Sequence, residues 1–207
     1  PCLIKENQLT IAEMLRQQGY STAMYGKWHI GMTFYDKDGK AIHKNGLQGV
    51  KNIDYSRSIK GAPVDFGFEK FYGTVCCPTT DFLYAFVENN KIPVVPTAML
   101  DKKDLPKHPY ANDCRVGMTA ANFDHQEVDA VFLQKSLSFI ENHAKTSPTK
   151  PFFLFHSTQA VHLPSFAGKD FRGKSAAGPH GDFIHQFDAN VGSIIDCLKK
   201  NGFGENT

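Results

Sequence analysis

Three stretches of the chain carry apolar residues at helical spacing. The first begins at the pair Thr10 and Glu13, a capping box in which each side chain can bond to the backbone N–H of the other residue. Gly19 stands where a glycine in the left-handed conformation would end this helix. The residues that we expect on its buried side are Ile11, Met14 and Leu15.

The other two predicted helices are longer. One starts near Asp124 and ends at Ser147, and the other runs over about 182–200. The buried side expected for the first of these consists of Val128, Phe132, Leu133, Leu137, Ile140 and Ala144. The buried side expected for the last helix consists of Ile184, Phe187, Val191, Ile194, Ile195 and Leu198.

Two shorter stretches predict β-strands. Residues 20–25 form one, which Gly26 ends, and residues 152–156 form an apolar run typical of a strand covered on both faces in a parallel sheet. Helix and strand therefore alternate twice before the last helix. This order favours an α/β layered fold with a largely parallel central sheet flanked by helices.

Residues 32–123 separate the two helix–strand pairs and show no clear period. They contain many turn-forming residues but too many aromatic ones for a flexible linker, so we expect ordered loops and short strands packed over a sheet edge. Within them, residues 35–42 predict a hairpin about an Asp-Gly turn. Asp36 and Asp38 also hint at a calcium loop, but Leu47 stands where the bidentate glutamate is needed, which favours the hairpin.

Composition limits the classes of protein to consider. The 207 residues are 41% apolar and 21% charged, which is typical of one globular domain spanning 1–207. Basic and acidic side chains nearly balance at 23 and 21, so the concentrated basic face that nucleic acid requires is not expected. No apolar run is long enough to span a bilayer.

The sequence shows no signal peptide or initial Met, and no strand follows the last helix, so we expect a piece of a longer or processed protein.

Five cysteines are scattered along the chain. An odd number without a Cys-x-x-Cys pair predicts neither a disulfide framework nor a zinc site. We expect mostly free or buried thiols, although a bridge from the adjacent pair stays open, as does the redox compartment. The five are Cys2, Cys76, Cys77, Cys114 and Cys197.

Lys27 and His29 are the strongest candidates for chemistry. They follow the glycine that ends the first predicted strand, and residues two apart in extended chain point the same way. An ammonium and an imidazole would then converge at the carboxyl end of a sheet, where α/β proteins bind ligands, with Trp28 packed on the opposite side. Such a pair suits a tetrahedral oxyanion. The spacing alone leaves open a solvated surface lysine beside a purely structural histidine.

Four segments resemble one known family. Residues 19–31, Gly-Tyr-Ser-Thr-Ala-Met-Tyr-Gly-Lys-Trp-His-Ile-Gly, closely resemble the second signature of the sulfatases. The segments 67–73, 151–164 and 171–198 resemble later sulfatase segments in the same order. Four ordered segments are far more specific than one, and they span almost the whole chain.

The resemblance implies an alkaline-phosphatase-like fold that hydrolyses sulfate esters of aryl compounds or sugars, using a formylglycine beside a calcium ion. By position, Lys27 would bind a sulfate oxygen and help the leaving group, and His29 would contact the formylglycine hydroxyls and assist sulfate release. His162 would act at the bridging oxygen as general acid or hydrogen-bond donor. Thr80 is a weaker candidate for a substrate contact. Sulfatases are commonly periplasmic, secreted or lysosomal.

The residues that carry the family's nucleophile and metal are not found here. The formylglycine motif Cys/Ser-x-Pro/Ala-x-Arg does not fit the segments starting at Cys2, Cys77 or Cys114. The calcium ligands lie outside the matching segments, so we expect no metal ligand in this chain and no turnover by it alone. Two alternatives stay open: a phosphodiesterase or phosphonate hydrolase of the same superfamily, and a non-catalytic relative that binds sulfated glycans.

Overall fold

A computed structural model describes residues 2–5, 7–42, 46–107 and 113–207. The helices in these ranges are α1 (Ile11–Gln17), α2 (Leu47–Lys51), α3 (Val128–Thr146) and α4 (Gly178–Lys200), with short 3-10 helices at Pro63–Phe66 and Lys102–Asp104. The strands are β1 (Ser21–Lys27), β2 (Lys70–Thr74), β3 (Leu83–Tyr84), β4 (Val87–Glu88), β5 (Ala98–Met99), β6 (Met118–Thr119) and β7 (Phe152–Ser157). No helix in the described part of the chain combines the length and apolarity that a membrane crossing needs.

The main sheet has the strand order β4-β2-β1-β7. Strand β1 lies at its centre and runs parallel to both β2 and β7, while β4 pairs antiparallel with β2 at one edge. Ala23 of β1 is level with Lys70 on one side and Leu154 on the other. The predicted α/β fold with a largely parallel sheet is therefore confirmed. Strand β2 lies within the 32–123 segment. The sequence pattern did not indicate this strand.

Hydrogen bonds from one threonine fix the start of β1. The Thr22 hydroxyl donates to the Gly67 carbonyl at 2.6 Å and accepts from the Glu69 backbone N–H at 3.0 Å. The Glu69 carboxylate in turn accepts from the Thr22 backbone N–H at 3.1 Å. Since Thr22 is fully buried, these bonds satisfy polar groups that would otherwise be costly to bury.

Two glycines let the carboxyl ends of the three parallel strands approach closely. A Cβ atom at Gly26 would lie 1.8 Å from the Ser157 carbonyl oxygen of β7. A Cβ atom at Gly73 of β2 would lie 1.7 Å from the Gly26 carbonyl oxygen. Either contact would force the strands apart, so both positions depend on the absence of a side chain.

Apolar residues form two clusters around the sheet. The larger contains Met24 and Phe71 from the strands, Phe132 from α3, and many residues of the 32–123 segment, among them Tyr84 and Phe86. The smaller lies under α3 and α4. Its buried members are Ala23, Tyr25, Phe139, Ile140 and Cys197. The 32–123 segment thus supplies core as well as surface loops.

Helix α1 begins and ends as predicted but buries a different face. The Thr10 hydroxyl accepts from the Glu13 backbone N–H at 3.1 Å, and Gly19 adopts a left-handed φ of 88°. The predicted apolar stripe is wrong, because Ile11 is 60% exposed and Met14 is 43% exposed. Ala12 is the buried residue instead: a Cβ at Gly67 would lie 2.2 Å from the Glu13 backbone nitrogen, so this short helix packs by close backbone contact.

Helix α4 also buries a face that its apolar spacing did not indicate. Its predicted stripe is largely exposed: Ile184, Phe187, Val191 and Ile195 are between 38% and 48% accessible. The buried side instead contains polar residues. The Asp182 carboxylate accepts the backbone N–H groups of Gly173, Lys174 and Ser175, and the Gln186 side-chain oxygen accepts from the Gly168 N–H. This face turns inward because the preceding loop needs partners for its backbone donors.

Strand β7 and helix α3 show smaller differences from expectation. Strand β7 lies at an edge of the sheet, and the prediction that both of its faces are covered is wrong, because Phe155 is 46% exposed. Helix α3 starts at Val128, later than predicted. Of its expected buried side, Val128, Phe132 and Ile140 are buried, whereas Leu133, Leu137 and Ala144 are only partly covered.

The predicted hairpin at residues 35–42 is confirmed. Tyr35 and Ala41 form an antiparallel bridge, and Gly39 has a left-handed φ of 79° at the turn. The Asp36 carboxylate accepts the backbone N–H groups of Asp38 and Lys40 at 3.1 and 2.8 Å. Asp36 therefore stabilises the turn.

Candidate active site

The loops that follow β1, β2 and β7 meet at one edge of the main sheet. His29 follows β1, Cys77 follows β2 and His162 follows β7, so three parallel strands deliver them to the same end. The Cys77 Sγ atom lies 3.6 Å from His29 Nδ1 and 3.5 Å from His162 Nε2. Cys77 is 4% exposed, whereas both histidines are solvent exposed. A buried sulphur thus forms the floor of a shallow site, and two imidazoles form its rim.

The ring of His162 is held in one tautomer. Its Nδ1 atom lies 2.5 Å from the Leu163 carbonyl oxygen, which can only accept a hydrogen bond. Nδ1 therefore carries a proton, and in the neutral ring the lone pair is on Nε2, the atom that faces Cys77. The His162 backbone N–H donates to the Gln159 carbonyl at 2.9 Å, which fixes the loop.

His29 reaches the site through an unusual backbone conformation. The backbone N–H groups of Trp28 and His29 still bond to the carbonyls of Thr74 and Val75, at 3.0 and 2.9 Å, beyond the end of β1. His29 then has a φ of 56°, so the extended alternation assumed for residues 27–29 does not hold to its end. Trp28 is buried as expected, and its indole N–H donates to the Gly61 carbonyl at 3.0 Å.

Lys27 is half-buried and acts on two acidic groups. Its positive charge favours the ionised forms of Cys77 and of Asp129, a residue of α3 that is 2% exposed. Burial nevertheless raises the pKa of Asp129 overall. The Asp129 carboxylate accepts the backbone N–H groups of Gln159 and Ala160 at 2.7 and 2.9 Å. Asp129 thereby positions the loop that carries the histidine at the rim.

The surroundings of Cys77 stabilise negative charge at its sulphur. A hydrogen bond from the Cys76 thiol lowers the pKa of Cys77 most, followed by one from the Thr80 hydroxyl and by the positive charges of Lys27 and His162. Together these outweigh the effect of burial, which raises the pKa. The pKa of Cys76 is raised, because its proton is shared with the neighbouring sulphur. The edge of the sheet is therefore a place where an anion is favoured.

An open cavity of about 440 Å³ adjoins this point. His29 and Cys76 line it on the side of the site, and Asp81 and Arg115 contribute further charged groups. Burial raises the pKa of Asp81, although the Phe82 backbone N–H bonds to its carboxylate at 2.8 Å. The cavity gives a ligand bound between the histidines room to extend over the 32–123 segment.

The structure brings together all four residues singled out from the sequence. Lys27, His29, His162 and Thr80 each act on or contact the sulphur of Cys77. Neither Cys77 nor Asp129 is among the site residues predicted from the sequence. The one available signal for Cys77 was its place in a cysteine doublet directly after a family segment.

The side chains present do not fit calcium or formylglycine. Calcium takes six to eight oxygen ligands, whereas the group of close metal-type side chains found in the described ranges is His29, Cys76 and Cys77, with nitrogen and sulphur donors. Cys76 does stand two residues before Pro78, as the formylglycine motif requires, but Thr80 occupies the arginine position. All five cysteines are free thiols.

Comparison with known proteins identifies the family. The pattern of the sulfatase family matches residues 3–207. This chain belongs to the sulfatase family. The resemblance drawn from four sequence segments is thereby confirmed.

Curated sulfatases align over nearly all of this chain. The N-acetylgalactosamine-6-sulfatase of Rattus norvegicus is 26% identical over 99% of this chain, and the arylsulfatase of Hemicentrotus pulcherrimus is 28% identical over 99%. The N-acetylgalactosamine-6-O-sulfatase of Bacteroides thetaiotaomicron is 29% identical over 96%. The aligned regions cover 32%, 31% and 41% of these relatives, so the sulfatase chain described here spans about a third of their length.

Solved structures share the fold. A sulfatase from a glycosaminoglycan-metabolism locus of Bacteroides thetaiotaomicron superimposes with a TM-score of 0.75 at 24% identity, over 100% of this chain and 45% of that one. The PsFucS1 sulfatase from Pseudoalteromonas sp. gives 0.64 at 21% identity, over 100% of this chain and 38% of that one. The alkaline-phosphatase-like fold expected from the sequence is thus confirmed for the part present.

Proposed function

We propose that this chain forms the anion-binding part of the catalytic domain of a sulfuric ester hydrolase. The observation that carries the proposal is the grouping of Lys27, His29 and His162 around a point where negative charge is stabilised. A sulfate ester presents a tetrahedral anion of the size that such a group can surround. The names of the aligned relatives favour aryl or amino-sugar sulfates as the substrate class.

Lys27 and His162 have complementary roles in this proposal. The ammonium of Lys27 neutralises charge on a non-bridging sulfate oxygen, an interaction that strengthens in the partly buried setting of this residue. His162 faces the bridging oxygen through Nε2, since Nδ1 is committed to the Leu163 carbonyl. It can donate there only when the ring is protonated, and a positioned acid of this kind contributes roughly 10²–10⁴-fold.

His29 and Thr80 complete the proposed anion site. His29 presents Nδ1 to the same point as His162, from the loop that follows the neighbouring parallel strand. The Thr80 hydroxyl, which bonds to the Cys77 sulphur here, can donate to a sulfate oxygen instead. Calcium and formylglycine, which supply charge neutralisation and a nucleophile in sulfatases, would come from other residues of the whole protein, because the side chains described here fit neither.

A direct test measures binding of inorganic sulfate and of an aryl sulfate to this chain by titration calorimetry. Lys27→Ala should weaken binding at least about tenfold, since a charge-assisted hydrogen bond contributes about 1.5–3 kcal/mol. Lys150→Ala is the matched control, because this exposed lysine precedes β7 at the other end of the sheet. Equal affinities for the wild type and Lys27→Ala would refute the proposed anion site.

Hydrolysis is tested with the whole protein. Release of sulfate from an aryl sulfate is expected from the longer chain and not from these 207 residues alone. His162→Ala in the longer chain should lower kcat by about 10²–10⁴-fold. Cleavage of an aryl phosphodiester but not of the sulfate ester would assign the protein to the other branch of its superfamily, and binding without any cleavage would make it a glycan-binding relative.

A further inference from the structure

We propose that Cys77, His29, His162 and Cys76 form a binding site for a soft divalent cation, with Zn²⁺ as the best fit. Such a site goes beyond the proposed hydrolysis, which requires a hard, oxygen-bound metal held elsewhere in the protein. Zinc bound here would block the proposed anion site, because it would occupy the two imidazoles assigned to the sulfate. Thiolate and imidazole together select zinc and similar ions over calcium and magnesium. The inference depends on the positions of these four side chains and not on the identity of the substrate.

The distances between donor atoms match tetrahedral zinc. Zn–S bonds of about 2.3 Å and Zn–N bonds of about 2.0–2.1 Å at a tetrahedral angle place sulphur and nitrogen roughly 3.6 Å apart. The Cys77 sulphur lies 3.6 Å from His29 Nδ1 and 3.5 Å from His162 Nε2. The donor atoms of His29, Cys76 and Cys77 already lie in one close group, and a shift of the exposed loop that carries His162 would bring its Nε2 atom to the same ion.

Cys76 provides the fourth ligand. The donor atoms of His29, Cys76 and Cys77 all lie within 4.8 Å of one another. Two sulphurs bound to one tetrahedral zinc are roughly 3.8 Å apart, so a small rotation of the Cys76 side chain closes the set. The result is a Cys₂His₂ site, the composition of many structural zinc centres.

The histidines are prepared for such an ion and leave a path to it. The bond from His162 Nδ1–H to the Leu163 carbonyl leaves the Nε2 lone pair for the metal, the arrangement that supports most metal-bound histidines. Both imidazoles are exposed, so an ion can enter from solvent, while Cys77 is buried beneath them. The ligands come from the loops after β1, β2 and β7, and a bound ion would join these loops.

The test is a zinc titration of the full 207-residue chain, reduced with a phosphine, in competition with a chromogenic chelator. We expect one equivalent to bind with a Kd below about 1 μM, as for other sites with two thiolates. Cobalt substitution should produce the charge-transfer absorption of a cobalt–thiolate bond. Bound zinc should also raise the Tm, because it binds the folded state.

Three variants make the result specific. Cys77→Ser should weaken zinc binding by at least about 100-fold and His162→Ala by about tenfold or more, since each removes a ligand. His162 is on an exposed loop, so its replacement tests the site even if the cysteine variant folds poorly. Cys197→Ser is the matched control, because this buried thiol contacts α3 far from the site and should leave binding unchanged.

Two results would overturn the zinc site. One is the absence of stoichiometric binding by the wild type, and the other is equal affinity in Cys77→Ser, His162→Ala and the wild type. Failure of the sulfate titration leaves this inference intact, because the cobalt–thiolate spectrum does not depend on anion binding. Loss of zinc binding likewise leaves the sulfate site to be judged by Lys27→Ala.

Discussion

Strands β1 and β7 are neighbours in different environments. They pair in parallel register from Ser21 and Phe152 onward. Ala23 and Met24 of β1 are fully buried, whereas Phe155 of β7 is 46% exposed. The difference lies in what packs on the faces: Met24 and Ala23 belong to the two apolar clusters, whereas Phe155 belongs to neither. An apolar run therefore indicates that a strand can be covered, and the elements that pack on its faces decide whether it is.

The same contrast extends to the helices on the two sides. Helix α3, which packs on β1, β2 and β7, buries Val128 and Phe132 completely. Helix α4 leaves an apolar stripe and the adjacent edge of β7 partly open to solvent. An unpaired strand edge beside exposed apolar side chains is a recognised cause of aggregation. The β1–β2 side of the candidate site is thus the more fully buried one, and the β7–α4 side is the less covered one.

The largest expected loss of stability comes from Gly26→Ala, at the carboxyl ends of the three parallel strands. The new Cβ would lie 1.8 Å from the Ser157 carbonyl oxygen, at a backbone φ of 134° that disfavours side chains. We expect a loss of more than about 4 kcal/mol in the free energy of unfolding, measured by urea titration.

Gly192→Ala in helix α4, on the less covered side, is the matched control for Gly26→Ala. No atom lies within 4 Å of the added Cβ, so this change should stabilise α4 by about 0.5–1 kcal/mol. Similar losses for the two glycine variants would contradict the difference in packing between the two sides.

A comparison of two phenylalanines sharpens the contrast. Phe71→Ala in β2 removes a ring that is 1% exposed and should cost about 3–5 kcal/mol of stability. Phe155→Ala in β7 removes a ring that is 46% exposed and should cost roughly 1 kcal/mol or less. Chemical denaturation at neutral pH measures both, and a larger loss for Phe155→Ala would show that β7 is covered in solution.

The third prediction concerns the loss of stability in acid, an effect smaller than those of the core substitutions. Burial lowers the pKa of His125 to about 4, because its ring packs between Tyr84, Phe123 and Phe166. The neutral ring is favoured in the folded state. The contribution of His125 to the free energy of unfolding is therefore present above pH 6.5 and is lost as the pH falls toward 4. The loss corresponds to about 3 kcal/mol, since one pKa unit equals about 1.4 kcal/mol.

His125→Phe should reduce this pH dependence. Unfolding free energies of the variant and the wild type would be compared between pH 7.5 and pH 4. His156, whose pKa is also lowered to about 4 by burial, should maintain a residual slope in the variant. An unchanged slope in His125→Phe would show that folding does not lower the pKa of His125.

Much of the candidate site could be predicted from its local segments. Lys27 and His29 stand in one continuous segment whose glycines and strand pattern are visible in the sequence. His162 could be added only through the family resemblance, because 85 positions separate it from Cys77, the residue that it contacts. Cys77 and Asp129 were missed, since a buried thiol and a buried carboxylate carry no spacing that marks their partners.

The sequence by itself determined the alternation of helices and strands, the ends of α1, the tight turn at Gly39 and the glycines that let the strand ends meet, because each depends on residues near one another in the chain. The tertiary structure decided which faces are covered, as the exposed stripe of α4 shows. It also decided that the loops after β1, β2 and β7 meet at the Cys77 sulphur. Spacing along a chain records local backbone preferences, whereas burial and electrostatic environment depend on segments that only the folded sheet brings together.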